Sequence, residues 1–216
     1  MSVYNVAKKF DWAGPVSEKV LKVCRMFGVT IDRLVDKGPV HECEVKIEPG
    51  DVVCITGPSG AGKSVLLREL EQSVPACKRI NLDAIDLPSD RTVVDCFDGD
   101  VVTGLRMLTA AGISGVFPML NRPCYLSDGQ KYRFRLARAM AMGKPFVFAD
   151  EFCSELDRIT ASTVAFNIAR FARRTKTTFI LATSHDDILI DLSPDAIVVK
   201  DFTTPARVIY KTVRQP

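Results

Sequence analysis

A glycine-rich segment near residue 60 contains the residue types that hold phosphate groups in proteins. Glycines at this spacing let backbone N–H groups point at phosphate oxygens, and the dipole of a following helix adds positive potential. Lys63 can reach the β- and γ-phosphates of a nucleotide, and the Ser64 hydroxyl can coordinate Mg²⁺. We call residues 57–64 the phosphate loop. The predicted nucleotide-binding residues here are Gly57, Pro58, Ser59, Gly60, Ala61, Gly62, Lys63, Ser64 and the following Val65.

Two adjacent carboxylates, Asp150 and Glu151, follow the apolar residues 146–149. Ligands of open α/β sheets bind at the carboxyl ends of the strands, so this position favours a role at a site. The side chains of neighbouring strand residues diverge, which allows the two acids separate tasks. Asp150 is suited to hold the coordination shell of Mg²⁺, and Glu151 is suited to orient and polarise an attacking water.

The elements that must position these groups alternate between strands and helices. The apolar run 52–55 leads directly into the phosphate loop, and residues 64–70 continue as a helix, which is the context that such a loop requires. This alternation predicts an α/β fold with a parallel sheet covered by helices on both faces. The other predicted helices are 16–27, 132–142 and 159–174, and the other predicted strands are 40–47, 146–149, 177–182 and 196–200.

Composition bounds the class of protein. The 216 residues are 47% apolar and 25% charged, with a net charge of +3, which suits a single domain over 1–216 and does not require a polyanionic partner. No apolar run reaches the length of a membrane span, and the N-terminus lacks the apolar stretch of a secretory signal, so we expect a cytoplasmic protein. Seven cysteines occur without a C-x-x-C pair, which favours reduced thiols over a metal site.

Five motifs in a fixed order resemble those of the ABC ATPase family. The phosphate loop comes first, and residues 126–130 (Leu-Ser-Asp-Gly-Gln) resemble the signature segment of that family. Residues 145–157 resemble its Walker B strand and D-loop, and His185 resembles its switch histidine. The resemblance implies a P-loop NTPase with a RecA-like parallel sheet core, an N-terminal antiparallel β edge and a shortened helical insert at about 86–142.

The resemblance also implies a head-to-tail homodimer that encloses ATP and Mg²⁺. One copy holds the nucleotide, and Ser127 and Gly129 of the second copy close over the γ-phosphate. The resemblance also implies that Gln130 and Asp157 are nucleotide-binding residues. Asp157 then lies at the dimer seam. A serine hydroxyl, a glycine N–H and a helix N-terminus are indeed groups that form an anion site. The catalytic residues that the resemblance implies are Lys63, Glu151 and His185.

Two positions depart from the family pattern. No glutamine lies between Gln72 and Gln130, where the family usually has one that senses Mg²⁺ and couples to a membrane subunit. Asp83 and Asp86 are the alternatives for its place. Asp128 replaces the first signature glycine, and its charge slows closure unless the side chain points to solvent.

The aromatic residue that family members stack on adenine is also open. Phe27 is a candidate by its order along the chain, and a core position at the end of the 16–27 helix is the alternative for it. Weaker candidates are Tyr4, Phe10 and Trp12.

The trimmed insert and the missing glutamine favour a stand-alone ATPase, similar to prokaryotic or phage family members whose related signature occurs outside transporters. The alternatives are an ATP-binding subunit of a membrane transporter and a nucleotide-gated module with slow hydrolysis. Nucleic-acid binding is a minor alternative, because solvated helix faces explain the basic residues more simply. These residues are Lys131, Arg133, Arg135 and Arg138, and Arg170, Arg173, Arg174 and Lys176.

Overall fold

The computed structural model describes residues 2–9, 14–32, 40–202 and 205–211. Its strands are β1 (Ser2–Lys9), β2 (Val40–Ile47), β3 (Val52–Thr56), β4 (Arg79–Asn81), β5 (Phe146–Ala149), β6 (Thr178–Ala182), β7 (Ala196–Val199) and β8 (Arg207–Tyr210). Its α-helices are α1 (Glu18–Met26), α2 (Lys63–Ser73), α3 (Val101–Ala110), α4 (Val116–Leu120), α5 (Asp128–Ala141), α6 (Arg158–Thr175) and α7 (Leu189–Leu192).

Six strands form the principal sheet in the order β4-β5-β6-β3-β7-β8. The first five are parallel, and β8 pairs antiparallel with β7. All five residues of β3 and all five of β6 are buried, because helices cover both faces of the sheet and leave no polar side. The predicted α/β fold with a parallel core is confirmed.

Two apolar clusters pack on opposite faces of this sheet. One joins side chains of α5 and α6, such as Phe134 and Ile168, to the β5 residue Val147. The other joins Leu66 of α2 to Val45 of β2. Because alternate strand residues point to opposite faces, β5 contributes Val147 to one cluster and Phe148 to the other.

The N-terminal edge is a separate antiparallel pair of strands. β1 runs alongside β2 from the pair Ser2 and Ile47 to the pair Lys9 and Val40. The sequence predicts β2 with the observed bounds, but it does not assign β1 as a strand. The pair packs on α2 and so encloses one side of the helix that follows the phosphate loop.

The helix α5 begins at Asp128, four residues before the predicted start at Tyr132. Ser127 caps its N-terminus, and the side chain of Gln130 reaches back to the Ser127 backbone, which completes a capping box. The α1 helix also differs from expectation, since Cys24 is its one buried residue and Val23 and Met26 are exposed. Phe27 is 77% exposed, so the alternative of a core position for it is wrong.

Three helices, α3 to α5, connect β4 to β5 and lie within residues 101–141. The limits of a single domain over 1–216 with an insert at about 86–142 stay a prediction. Within the described ranges, no helix has the length and apolar character to cross a membrane.

Candidate active site

The phosphate loop connects β3 to α2 and depends on glycine at two positions. Gly57 and Gly62 both have positive φ, at 142° and 96°. A Cβ on Gly57 would overlap the backbone oxygen of Lys200, and a Cβ on Gly62 would overlap the His41 ring. Only a residue without a side chain fits such conformations at these contacts. Both glycines are therefore required by packing as well as by the turn of the backbone.

Lys63 is the first residue of α2 and is only 8% exposed. Its Nζ donates to the backbone oxygens of Gly57, at 2.8 Å, and Pro58, at 3.0 Å. These bonds hold the ammonium group against the loop backbone. Ser64 follows in the first turn of α2 and is half-buried. The loop therefore combines a fixed cation, a hydroxyl and the positive end of a helix dipole.

The two carboxylates follow directly after β5, where the backbone bends. Asp150 Oδ1 accepts a hydrogen bond of 3.0 Å from the Glu151 backbone N–H. Glu151 is exposed and has a φ of 45°, which is an unfavourable conformation for a residue other than glycine. The next residue, Phe152, is fully buried and donates its N–H to Ala182 at 2.7 Å. This hydrogen bond fixes the backbone directly after Glu151 to the end of β6.

His185 follows β6 and is exposed. Its backbone N–H donates to the Thr183 hydroxyl at 3.0 Å, and the Thr183 N–H donates to Ile55 of β3 at 3.0 Å. The Thr56 hydroxyl donates to Asp186 and ties the same segment to the end of β3. Because β6 lies between β5 and β3, the predicted histidine, the acids and the phosphate loop meet at one edge of the sheet. We call this edge the carboxyl edge.

The signature segment forms the N-terminus of α5. Ser127 Oγ accepts from the Gln130 backbone N–H at 3.4 Å, and Gln130 Oε1 accepts from the Ser127 N–H at 3.0 Å. A Cβ on Gly129 would lie 3.2 Å from Glu155 O and 3.4 Å from the Leu156 side chain. Within the described ranges, the hydrogen bonds of Ser127, Gly129 and Gln130 are to residues of α5 or its cap, and none reaches the phosphate loop.

Asp157 caps the N-terminus of α6 and lies in the same 154–157 segment that Gly129 packs against. Its side chain accepts a hydrogen bond of 3.0 Å from the Thr160 N–H. The bonds from Thr160 lower the pKa of Asp157, because they stabilise the charged carboxylate. The signature segment and Asp157 are thus neighbours on one surface.

Asp128 points to solvent. Its side chain is 83% exposed and forms an ion pair with Lys131 at 3.1 Å. This is the arrangement in which the sequence analysis expects the extra charge not to hinder closure over a phosphate.

The two alternatives for the missing glutamine both follow β4, and Asp83 comes first. It follows β4, the strand beside β5, in a short 3₁₀ turn, and its N–H donates to Asn81 at 3.0 Å. Asp86 is exposed and lies beyond that turn. The assignment of a role to either residue stays a prediction.

The structure brings two further side chains to the loop that the sequence analysis did not assign. His41 is 5% exposed, and its Nε2 lies 3.1 Å from the Cβ position of Gly62. Burial, followed by the nearby Lys200 charge, lowers the pKa of His41. The ring of Phe202, which is 58% exposed, lies 3.7 Å from the Cβ position of Gly60.

A sequence signal for His41 exists. In β2 the buried positions are 41, 43, 45 and 47. The apolar residues Cys43, Val45 and Ile47 therefore lie on the same face of the strand as His41. The sequence analysis assigns no role to His41, although this alternation places it on the buried face of β2. Phe202 has no such signal, because it follows β7 in a short irregular segment.

The candidates for an adenine-stacking residue lie in different parts of the chain. Phe27 is exposed at the end of α1. Tyr4 packs edge-on against Phe146, with the ring centroids 6.1 Å apart, so its ring belongs to the apolar cluster beside β2. Phe10 and Trp12 lie outside the described residues.

The cysteines are free thiols. Cys43, Cys54 and Cys153 are buried, and burial raises the pKa of Cys43 to about 11 and of Cys54 to about 12. These thiols stay protonated at neutral pH and are poor metal ligands. The described part of the chain contains no cluster of side chains with the composition of a His, Cys or carboxylate metal site.

Comparisons with known proteins agree with this arrangement. The family model described as ABC transporter matches residues 40–101. The methionine import ATP-binding protein MetN of Xanthomonas oryzae pv. oryzae is 30% identical over 184 residues, which cover 69% of this chain and 55% of that protein. The aliphatic sulfonates import ATP-binding protein SsuB 1 of Paracoccus denitrificans is 28% identical over 203 residues, which cover 84% of this chain and 78% of that protein. The chain thus spans about half the length of the MetN relative.

Solved structures have the same fold. The dimeric post-hydrolysis state of the ATP-binding cassette MJ0796 with ADP and Pi matches with a TM-score of 0.63 at 18% identity, over 81% of this chain and 93% of that one. An inward-facing metal-chelate type ABC transporter matches with a TM-score of 0.62 at 16% identity, over 80% of this chain and 77% of that one.

Proposed function

Because the chain belongs to the family of ABC-type ATP-binding domains, we propose that it binds ATP with Mg²⁺ and hydrolyses it between two copies arranged head to tail. The phosphate loop holds the triphosphate of one copy through backbone N–H groups and Lys63. The second copy supplies Ser127 and Gly129. ATP binding is common to the family, and the dimer and the hydrolytic cycle are our proposal for this chain.

Mg²⁺ fits the groups at the carboxyl edge. The Ser64 hydroxyl and the Asp150 carboxylate are oxygen ligands of the kind that this cation prefers, and they follow β3 and β5, which flank β6. When bound, the cation neutralises charge on the phosphate oxygens. Glu151 is exposed after the bend that Phe152 anchors, so it can orient water from the solvent side. His185 can donate to the γ-phosphate from the neighbouring strand end.

One observation supports the second copy above all. Ser127 and Gly129 form an anion site at the N-terminus of α5, but they pack beside the 154–157 segment of their own chain, and their hydrogen bonds stay within α5. Ser127 is exposed there. A single chain therefore presents two separate half-sites for phosphate. A head-to-tail pair brings each signature segment to the phosphate loop of the other copy.

The proposal is tested with the Glu151→Gln variant, by size-exclusion chromatography with light scattering. Removing a general base slows a reaction by about 10²–10⁴ fold, so ATP and Mg²⁺ should convert this variant into a long-lived dimer with almost no turnover. The control is Glu18→Gln, which changes an exposed acid in the first turn of α1 and should turn over ATP as the wild type does. A monomer that retains its ATP in the Glu151→Gln variant contradicts the dimer. Unchanged turnover removes Glu151 from its role.

A transporter subunit is the second candidate, against the stand-alone expectation from the sequence. The curated relatives named above are import ATP-binding proteins. In addition, α4 exposes three apolar side chains, of which Phe117 is 89% exposed, and such a patch favours a protein contact. Membrane fractionation tests this candidate. A transporter subunit should sediment with membranes, and Phe117→Asp should release it, whereas a stand-alone ATPase stays in the supernatant in both forms.

A further inference from the structure

A cavity of about 550 Å³ lies between the end of α3 and the last turns of α6, and its lining is strongly basic. The lining side chains are Ala110, Asn167, Arg170, Phe171, Arg173 and Arg174. α6 has 18 residues and is therefore about 27 Å long. Since α6 begins beside the carboxyl edge and ends at the opposite edge of the sheet, this cavity is remote from the phosphate loop.

The three arginines are not neutralised by the residues around them. Arg173 donates to the Ser193 backbone oxygen at 2.9 Å and lies 3.9 Å from Asp195, which already accepts a hydrogen bond from the Val52 N–H. Arg170 lies over the Phe166 ring at 5.7 Å. Among the described residues, Arg174 has no hydrogen-bond or ion-pair partner. In the described part of the chain, Arg170 and Arg174 therefore have no carboxylate partner, and Arg173 has one at the limit of contact.

The helix itself does not account for this cluster. Cations in the last turn of a helix interact favourably with its dipole, and Arg173 and Arg174 lie in that turn. Arg170 does not lie in that turn. It is at the i,i+3 and i,i+4 spacings from the other two arginines, where like charges destabilise a helix. A bound anion relieves this repulsion.

The other group of basic residues is a useful contrast. Arg133 donates to Gly129 and Gly112, Arg135 donates to Ile85, and Arg138 lies over the Phe97 ring. These arginines of α5 serve to connect the α5 helix to the segments around it. The arginines of α6 surround an open cavity instead.

We propose that this cavity binds a compact small molecule that carries phosphate groups. Guanidinium groups match the geometry of phosphate oxygens and bond to them in pairs, and the volume lies in the range of small-molecule sites, about 300–1,000 Å³. Ala110 and Phe171 give the cavity an apolar wall, and Asn167, which donates to the Ala110 backbone oxygen at 3.1 Å, gives it a polar one. A nucleic-acid strand is less suited, because it needs an extended basic groove.

Pyrophosphate is the probe, and isothermal titration calorimetry is the measurement. The full chain carries Lys63→Ala, so that the phosphate loop does not compete with the cavity for pyrophosphate. We expect saturable binding of one pyrophosphate per chain. Adding Arg174→Gln should weaken binding about tenfold, because one charge-assisted hydrogen-bonding group is lost. Thermal melting of each variant shows that it is folded.

Arg25→Gln is the matched control, since Arg25 also lies in the last turn of a helix, α1. It should leave the affinity for pyrophosphate within about twofold of the parent. Equal weakening by Arg25→Gln and Arg174→Gln, or no saturable binding at all, overturns the proposal. So does a single-stranded oligonucleotide that binds through Arg174 when pyrophosphate does not. With Lys63 intact, Arg174→Gln should hydrolyse ATP at the wild-type rate, so the outcome here is independent of the proposed ATPase cycle.

Discussion

The two phosphate-directed regions of this molecule are built in different ways. At the carboxyl edge, the loop, the acids and His185 come from three strands that are direct neighbours, and hydrogen bonds between the strand ends hold them together. At the start of α5, Ser127 and Gly129 belong to one helix N-terminus and pack on a segment, 154–157, that carries no phosphate ligand of the loop. One region is assembled from three strand ends, and the other is a single helix N-terminus.

The difference indicates how each region responds to change. Residues of the carboxyl edge share contacts with the core, so a substitution there alters the folded chain and its affinity for ATP together. Ser127 contributes to its own chain only as a helix cap. Its further effect should appear in the assembly of two chains, which allows the two roles to be separated experimentally.

The largest effect should come from Gly62→Ala. The new Cβ would overlap the buried His41 ring, and φ at this position is 96°. Overpacking costs about 1–3 kcal/mol and the left-handed conformation about 1–2 kcal/mol more, so we expect a loss of about 2–5 kcal/mol in the free energy of unfolding and no ATP binding. Chemical denaturation measures the first and calorimetry the second.

Gly99→Ala is the control for that variant. Gly99 has a φ of 86° and no atom within 4 Å of its Cβ position, so only the backbone cost of about 1–2 kcal/mol applies. If both variants lose the same stability, the contact between His41 and the loop does not support the fold.

A smaller effect on stability, but a large one on assembly, should follow from Ser127→Ala in the Glu151→Gln background. Loss of the cap costs about 1 kcal/mol of stability, and loss of the hydroxyl removes a phosphate ligand from the partner copy. We expect light scattering to show monomers in ATP and Mg²⁺.

Ser17→Ala tests whether the effect on assembly is specific to the signature segment. Ser17 caps α1 and accepts from the Val20 N–H at 3.3 Å, so its loss should cost a similar amount of stability and leave the dimer intact. Dimer loss in both variants attributes the effect to stability alone, and a persistent dimer in Ser127→Ala refutes the role of this serine.

His41→Gln should weaken ATP binding about tenfold, equivalent to about 1.4 kcal/mol, because the buried ring that supports Gly62 is replaced by a flexible chain. Stability should also become less dependent on pH. The pKa of His41 is lowered in the folded chain, so the unfolded chain binds the extra proton first, and the wild type loses stability as pH falls below about 6.5. Thermal melts of the wild type and the variant at neutral and mildly acid pH measure this difference. Identical pH profiles for the two proteins contradict a role of His41 in the pH dependence of stability.

The smallest effect should be that of Asp157→Ala. Hydrogen bonds from Thr160 lower the pKa of Asp157 in the folded chain, so the cap stabilises the protein above the ordinary pKa of the carboxyl group, and this contribution is lost as pH falls through the lowered value. The alanine variant should melt earlier at neutral pH and equal the wild type in acid. Asp157→Asn, which retains a capping oxygen, should melt close to the wild type at neutral pH. A wild-type melting temperature for Asp157→Ala at neutral pH shows that the cap is not needed.

Much of the secondary structure could be predicted because its signals are local. β5 has the predicted bounds, and α6 differs from its prediction by one residue at each end. The start of α5 was predicted four residues late, although Ser127 and Gln130 have the spacing of a capping box. Short strands such as β4, with three residues, have too little pattern to be recognised, and β1 depends on its pairing with β2.

The candidate site also has features that short segments of sequence predict and features that they do not. The residue types of the phosphate loop and the spacing of the signature motif are properties of short segments, and they indicate ATP chemistry before any fold is known. Phe27, by contrast, has the same helical spacing as Cys24, and nothing in that spacing shows that one is exposed and the other buried.

Local order along the chain by itself determined the phosphate loop, the spacing of the signature residues and the two acids after a strand, because each depends on residues only a few positions apart. The tertiary structure alone decided that β6 lies between β5 and β3, that His41 supports Gly62 and that Gly129 packs beside Leu156. His41 and Gly62 are 21 positions apart, Gly129 and Leu156 are 27 apart, and the paired residues Val52 of β3 and Phe179 of β6 are 127 apart. The free energy of these contacts comes from burial and pairing that exist only once the whole sheet has formed.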